Sequence, residues 1–108
     1  MPHIIVEHTQ DVEGVQSLLS ALHSSLAEQD TVVLSSLKTR SIPVTHAIVG
    51  DGSSNSMVHI TLKLLPGRSD ALLEKMTNDL KKIAEKHCSS ATCITVESMN
   101  LNEISYKK

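Results

Sequence analysis

Phenylalanine and tryptophan are absent from this 108-residue chain, and Tyr106 is the one residue of the Phe, Trp and Tyr set. Without stacking side chains, it is a poor match to the modules that bind RNA or single-stranded DNA. An excess of either charge is also missing: ten basic and twelve acidic residues leave a net −2. No field is therefore expected to draw in DNA or an acidic membrane. No apolar run approaches the ~20 residues of a spanning helix, and no charged-then-apolar leader opens the chain. These absences point to a soluble, cytoplasmic protein with neither nucleic acid nor membrane as partner.

Cysteine is scarce as well. Cys88 and Cys93 flank an expected turn, and two cysteines without a secretory leader do not form a disulfide framework. His87 beside Cys88 hints at a Cys–His nucleophile, but sequence neighbours at a helix end rarely face each other. The six histidines contain neither H-x-x-x-H nor H-E-x-x-H, so no metal is expected. His59 alternates with Val58 and Ile60 and reads as a structural histidine on a strand.

What remains is regular, and its length suits one domain, residues 1–108. Residues 3–8 are a β-branched strand. Val12, Val15, Leu18, Leu19, Leu22 and Leu26 then recur at helical steps, with Asp11 as candidate cap. Two apolar runs follow, Thr31–Leu37 and Ile42–Val49; Pro43 assigns the second to an edge or first-strand position. Gly50–Ser56 is a polar loop. The order then repeats. Met57–Leu65 alternates as a strand, Pro66-Gly67 stops it, and Ser69 caps a helix carrying Leu72, Leu73, Met76, Leu80, Ile83 and Ala84. Thr92–Val96 is the last expected strand.

Two β-α-β halves, about 1–52 and 53–108, imply right-handed crossovers between parallel strands. The expected fold class is α+β: a four-stranded mixed sheet with two helices on one face. No element is left to cover the other face, so oligomerisation is expected.

The second residue carries the chemistry. An amide nitrogen is not basic, because its lone pair is delocalised. If Met1 is removed, as is usual before a small residue, Pro2 becomes a secondary amine. A free terminal amine titrates near ~8, and burial beside cations lowers that value toward operating pH. Many ordinary chains also begin Met-Pro. Further residues narrow the reading: Met1-Pro2-His3 with Glu7, Lys38-Thr39-Arg40 ahead of the mid-chain strand, Val58-His59-Ile60-Thr61-Leu62-Lys63 running into Gly67-Arg68-Ser69, and Ser105-Tyr106-Lys107. On these the chain resembles the tautomerase superfamily, and within it the 5-carboxymethyl-2-hydroxymuconate isomerase family, over most of its length.

The resemblance implies a homotrimeric isomerase of aromatic-compound catabolism that needs no cofactor and no metal. It interconverts enol and keto forms of an unsaturated dicarboxylate such as 5-carboxymethyl-2-hydroxymuconate. Pro2 is implied as general base and then acid, and Arg40 and Arg68 as the binders of the substrate's carboxylates. Lys38 stands where family members often carry another arginine and is expected to help electrostatically. His3 and Glu7 share a strand face and are expected to serve the sheet or a subunit contact. Family pockets usually have aromatic walls; here the pocket is expected to be aliphatic, with the Ser-rich loop at 50–56 setting access. The alternatives are a non-catalytic oligomeric binding protein of the same fold, and dehalogenase- or decarboxylase-type chemistry on the same residues.

Overall fold

The computed structural model describes residues 1–108. Its elements run β1 (His3–Thr9), α1 (Val15–Ala27), β2 (Lys38–Val44), β3 (Met57–Leu64), α2 (Asp70–His87) and β4 (Cys93–Asn100). The sheet order is β2-β1-β3-β4. β1 pairs with β2 in parallel, β3 with β4 in parallel, and β1 with β3 antiparallel, His3 facing Lys63. The two β-α-β units and the mixed sheet are those expected.

Alternation decides which face is covered. Ile4 and Val6 of β1 and Val58, Ile60, Leu62 and Leu64 of β3 are fully buried beneath Leu18, Leu22 and Leu26 of α1 and Met76, Leu80 and Ala84 of α2. Each such large aliphatic side chain contributes roughly 1.5–3 kcal/mol by leaving water. His3, Ile5 and Glu7 of β1, and their β2 partners Lys38, Arg40 and Ile42, lie on the opposite face, which no helix covers. Thr39 confirms the phase of β2, since its hydroxyl meets His23 of α1 at 2.8 Å.

The Thr31–Leu37 run is not a strand. Val32 and Leu37 tuck into the core rim, while Leu34–Ser36 form a short 3-10 turn, with Val33 and Leu34 exposed. Lys38, Thr39 and Arg40 are thus inside β2 and not ahead of it. Pro43 has no N–H to give, and it lies in the edge strand as expected. β4 runs on to Asn100, past the expected Val96. Ser69 caps α2, its Oγ accepting from Leu72 N–H at 3.2 Å. Cys88 and Cys93 are free, and burial pushes the Cys88 thiol's pKa up, which leaves it unreactive.

Asp11 does not cap α1; the helix starts at Val15 after Gly14. Gly14 sits at φ +84, and a Cβ there would collide with the backbone carbonyl of His87 at the end of α2. The chain's entry into α1 is therefore set by close backbone approach. Gly14→Ala is expected to destabilise the protein by roughly 2–4 kcal/mol, left-handed strain plus the clash, read as a lower chemical-denaturation midpoint at unchanged slope. A cost under about 0.5 kcal/mol, the scatter of ordinary surface changes, would show that the two helices separate freely.

Candidate active site

The mixed topology gathers one set of chain ends. β1 and β2 start, and β3 and β4 finish, at the same edge of the sheet. There a cleft of about 210 Å³ is bounded by Met1, Pro2, Thr31, Val33, Ser36, Leu64, Leu65, Arg68 and Lys108. Met1, Pro2, Val33, Leu64 and Leu65 form its apolar part, Thr31 and Ser36 add hydroxyls, and no Asp or Glu side chain lines it. A larger groove, about 490 Å³, lies between the end of α2 and the start of β4 but offers only Lys81 and Glu85 as charged groups. No three His, Cys, Asp or Glu side chains converge anywhere in the chain.

Pro2 is buried. Its carbonyl accepts from Lys38 N–H at 3.0 Å, which starts the β1–β2 ladder and fixes the residue. Met1 fills part of the cleft, its ammonium donating to Ser36 Oγ at 2.7 Å. The pKa of that ammonium is lowered, first by desolvation and then by the charges of Lys38, Lys108 and Arg68. The position next to the Pro2 nitrogen is thus one where a positive charge is disfavoured.

Arg68 lies just before the cap of α2 and reaches back across the cleft. Nε donates to Thr31 Oγ1 at 3.2 Å, Nη2 to the Thr31 carbonyl at 3.0 Å, and Nη1 to the Leu65 carbonyl at 3.3 Å. Three of the five guanidinium N–H groups are spent on holding it in place. One N–H on each terminal nitrogen stays uncommitted, and that pair suits a carboxylate.

Arg40 is not in this cleft. It stands on the open face of β2, exposed, and donates through Nη1 to His3 Nδ1 at 3.0 Å. Lys38 is one β2 pleat closer to the chain start; its Nζ donates to the Ser36 carbonyl at 3.0 Å, and its charge acts on the amine without lining the cavity. So Pro2 and Arg68 come together in one protomer, Lys38 lies beside them, and Arg40 is directed elsewhere. The 50–56 loop is at the far end of the sheet, beyond Thr9 and Val44. That is the length of β1 away, ~20 Å at strand rise, so it does not gate this cleft within one chain. Sequence reading missed Lys108, because nothing in its spacing tells that the tail folds back.

A model of the family described as 5-carboxymethyl-2-hydroxymuconate isomerase matches residues 2–107. The chain belongs to that family. Membership makes it an isomerase of the tautomerase type. Solved structures agree on the fold. A 5-carboxymethyl-2-hydroxymuconate isomerase from Deinococcus radiodurans R1 superposes with TM-score 0.88 at 20% identity, covering 99% of this chain and 87% of its own. A 5-carboxymethyl-2-hydroxymuconate delta-isomerase gives 0.85 at 14%, with 100% and 87% covered. A fused 4-OT described as a symmetric trimer gives 0.80 at 15%, with 98% and 90% covered. No curated protein sequence matches the chain.

His3 links the open face to the site. Arginine only donates, so His3 Nδ1 accepts from Arg40 and must be unprotonated. The proton of neutral His3 is then on Nε2, 2.7 Å from Tyr106 Oη. Desolvation, then Arg40, Lys38, the terminal ammonium and Lys63, lower its pKa. The unfolded chain therefore takes up the proton first, and stability falls as pH drops through about 6.5, the ordinary histidine value. The loss levels off below the folded-state pKa of His3. A His3→Asn variant is expected to show a shallower decline between about pH 7.5 and 5; equal slopes in denaturation series would remove His3 as the source.

Proposed function

We propose that this isomerase ketonises a small dienol bearing two or more carboxylates, of the 5-carboxymethyl-2-hydroxymuconate kind, which bears three, with Pro2, freed by loss of Met1, as the working base. The observation that carries this reading is the position of the chain terminus: a buried proline in a partly apolar cleft whose charged side chains are all cationic. The surroundings that lower the Met1 amine would act on the Pro2 amine as well. A depressed pKa leaves the nitrogen unprotonated at neutral pH. It then takes the proton of the substrate's 2-hydroxyl, the electron pair moves along the diene, and the same nitrogen returns the proton to the distal carbon.

Arg68 would hold a carboxylate with its uncommitted N–H pair, and helix α2 begins two residues on, adding favourable potential for an anion. The cavity is below the ~300–1,000 Å³ usual for ligand pockets, and losing Met1 enlarges it, so a six- to eight-carbon acid suits it better than a bulky one.

Arg40 enters this reading only through a second copy of the chain. It shares the uncovered sheet face with Ile5 and with the exposed Ile42 and Met99. Burying that face against neighbours in a homotrimer would remove apolar surface from water and bring one copy's open face toward another's cleft.

Pro2→Ala, with processing verified by intact mass, is expected to lower kcat by at least ~10²-fold, the lower end for loss of a general base, with the fold unchanged by circular dichroism. Arg68→Ala is expected to act mainly on KM. In the native enzyme kcat/KM should rise with pH along an acidic limb whose pKa is below the ~8 of a free terminal amine. Full rate in processed Pro2→Ala protein would falsify the mechanism. Light scattering is expected to give three times the chain mass; a stable monomer at micromolar concentration would end the trimer reading.

A further inference from the structure

The C-terminal segment 101–108 is folded onto the site, and of it only the charge of Lys108 enters the chemistry above. Leu101 N–H donates to the Leu64 carbonyl at 2.7 Å, which carries the chain from β4 to the cleft. The chain then turns on Asn102. Its Oδ1 accepts from the N–H groups of Ile104 and Ser105, both at 3.0 Å, and its carbonyl accepts from Tyr106 N–H at 2.9 Å. Tyr106 is thereby returned to β1, where its ring meets the His3 imidazole edge-on with centroids 5.7 Å apart. The bond from Arg40 puts the His3 proton on Nε2, so the Tyr106 hydroxyl is the acceptor there.

Two residues further on, Lys108 lines the cleft with Pro2 and Arg68. Lys107 commits its ammonium to the Ile104 carbonyl at 3.1 Å. Lys108 has no ion-pair partner in the chain. It is a cation at the cleft mouth, on the one segment that a single side-chain hydrogen bond ties to β1.

We propose that segment 101–108 is a latch: Tyr106, seated on His3, sets Lys108 at the cleft mouth, where its ammonium receives the second carboxylate of a substrate whose first is on Arg68. This rests on the dicarboxylate reading above and deepens it. Selection of two carboxylates over one is then made within a protomer, by one arginine and one lysine. The flexible stem of Lys108 tolerates variation in where the distal carboxylate falls, as a rigid guanidinium fork would not.

The test is an NMR chemical-shift titration of Met1-free protein with adipate and with hexanoate, six-carbon acids that differ in the second carboxylate. It needs no turnover. Native protein is expected to prefer adipate. Lys108→Ala should cut that preference about fivefold, the scale of a partly solvated ion pair, and Lys108→Arg should keep most of it. Tyr106→Phe, which keeps the ring and removes the hydroxyl, should cut it about twofold, part of what a hydrogen bond to a polar partner is worth. Equal native affinities, or a Lys108→Ala loss identical for both acids, overturn the role of Lys108. A Tyr106→Phe protein indistinguishable from native overturns the latch. Preference for adipate without turnover of any dienol leaves the latch standing and removes the proposed reaction; turnover without preference does the reverse.

Discussion

The antiparallel pairing of β1 with β3 is the constraint on which the site depends. With His3 set against Lys63, the start of the chain lies beside the end of β3, and Leu64, Leu65 and Arg68 follow at once. A parallel pairing of these strands would place Arg68 at the far end of the sheet, ~20 Å from Pro2 at strand rise. The register is itself over-determined. A slip of β1 by one residue would turn Ile4 and Val6 out to the open face and bring His3 and Glu7 toward the core. The same alternation that builds the core therefore fixes the geometry of the cleft.

Electrostatics at the cleft run against the balance of the chain as a whole. The protein carries a net −2, yet Lys38, Arg68 and Lys108 all act on the terminal amine and no Asp or Glu side chain lines the cavity. Desolvation is the larger cause of the lowered amine pKa, with the cations adding to it. Both effects disfavour protonated nitrogen, and the cations also favour a bound anion. One arrangement thus supports a free base and an acidic ligand together, where an acid in the cleft would oppose both.

Much of the fold could be read from periodicity, and its failures have physical causes. The buried strands and helices follow alternation and helical spacing because they answer to one core. The mid-chain strand is expected at the apolar run Ile42–Val49, whereas β2 is Lys38–Val44, because the polar Lys38-Thr39-Arg40 stretch pairs with β1 at the edge of a sheet with one uncovered face. The start of α1 was hidden because Gly14 is selected by the His87 carbonyl, a neighbour 73 positions away in sequence. Pro2 and Arg68 were readable as candidates because both sit at ends of elements that sequence can place, and the structure brings both to one cleft. Lys108 was not, since its position depends on the Asn102 turn and the Tyr106–His3 bond, and neither leaves a spacing pattern.

Arg40 shows how far one chain goes. It is held on the open face by a neutral His3, and it does not line the cleft that contains Arg68. If both arginines serve one substrate, as the proposed mechanism has it, a single copy cannot bring them together without dismantling β2. Covering the sheet's open face and adding Arg40 to the Arg68 and Lys108 of a neighbouring cleft would then be one event. On that reading the bare face is not a defect left over from folding. Its apolar Ile5, Ile42 and Met99 would drive association, while Arg40, fixed in direction by His3, would supply the group that makes association functional.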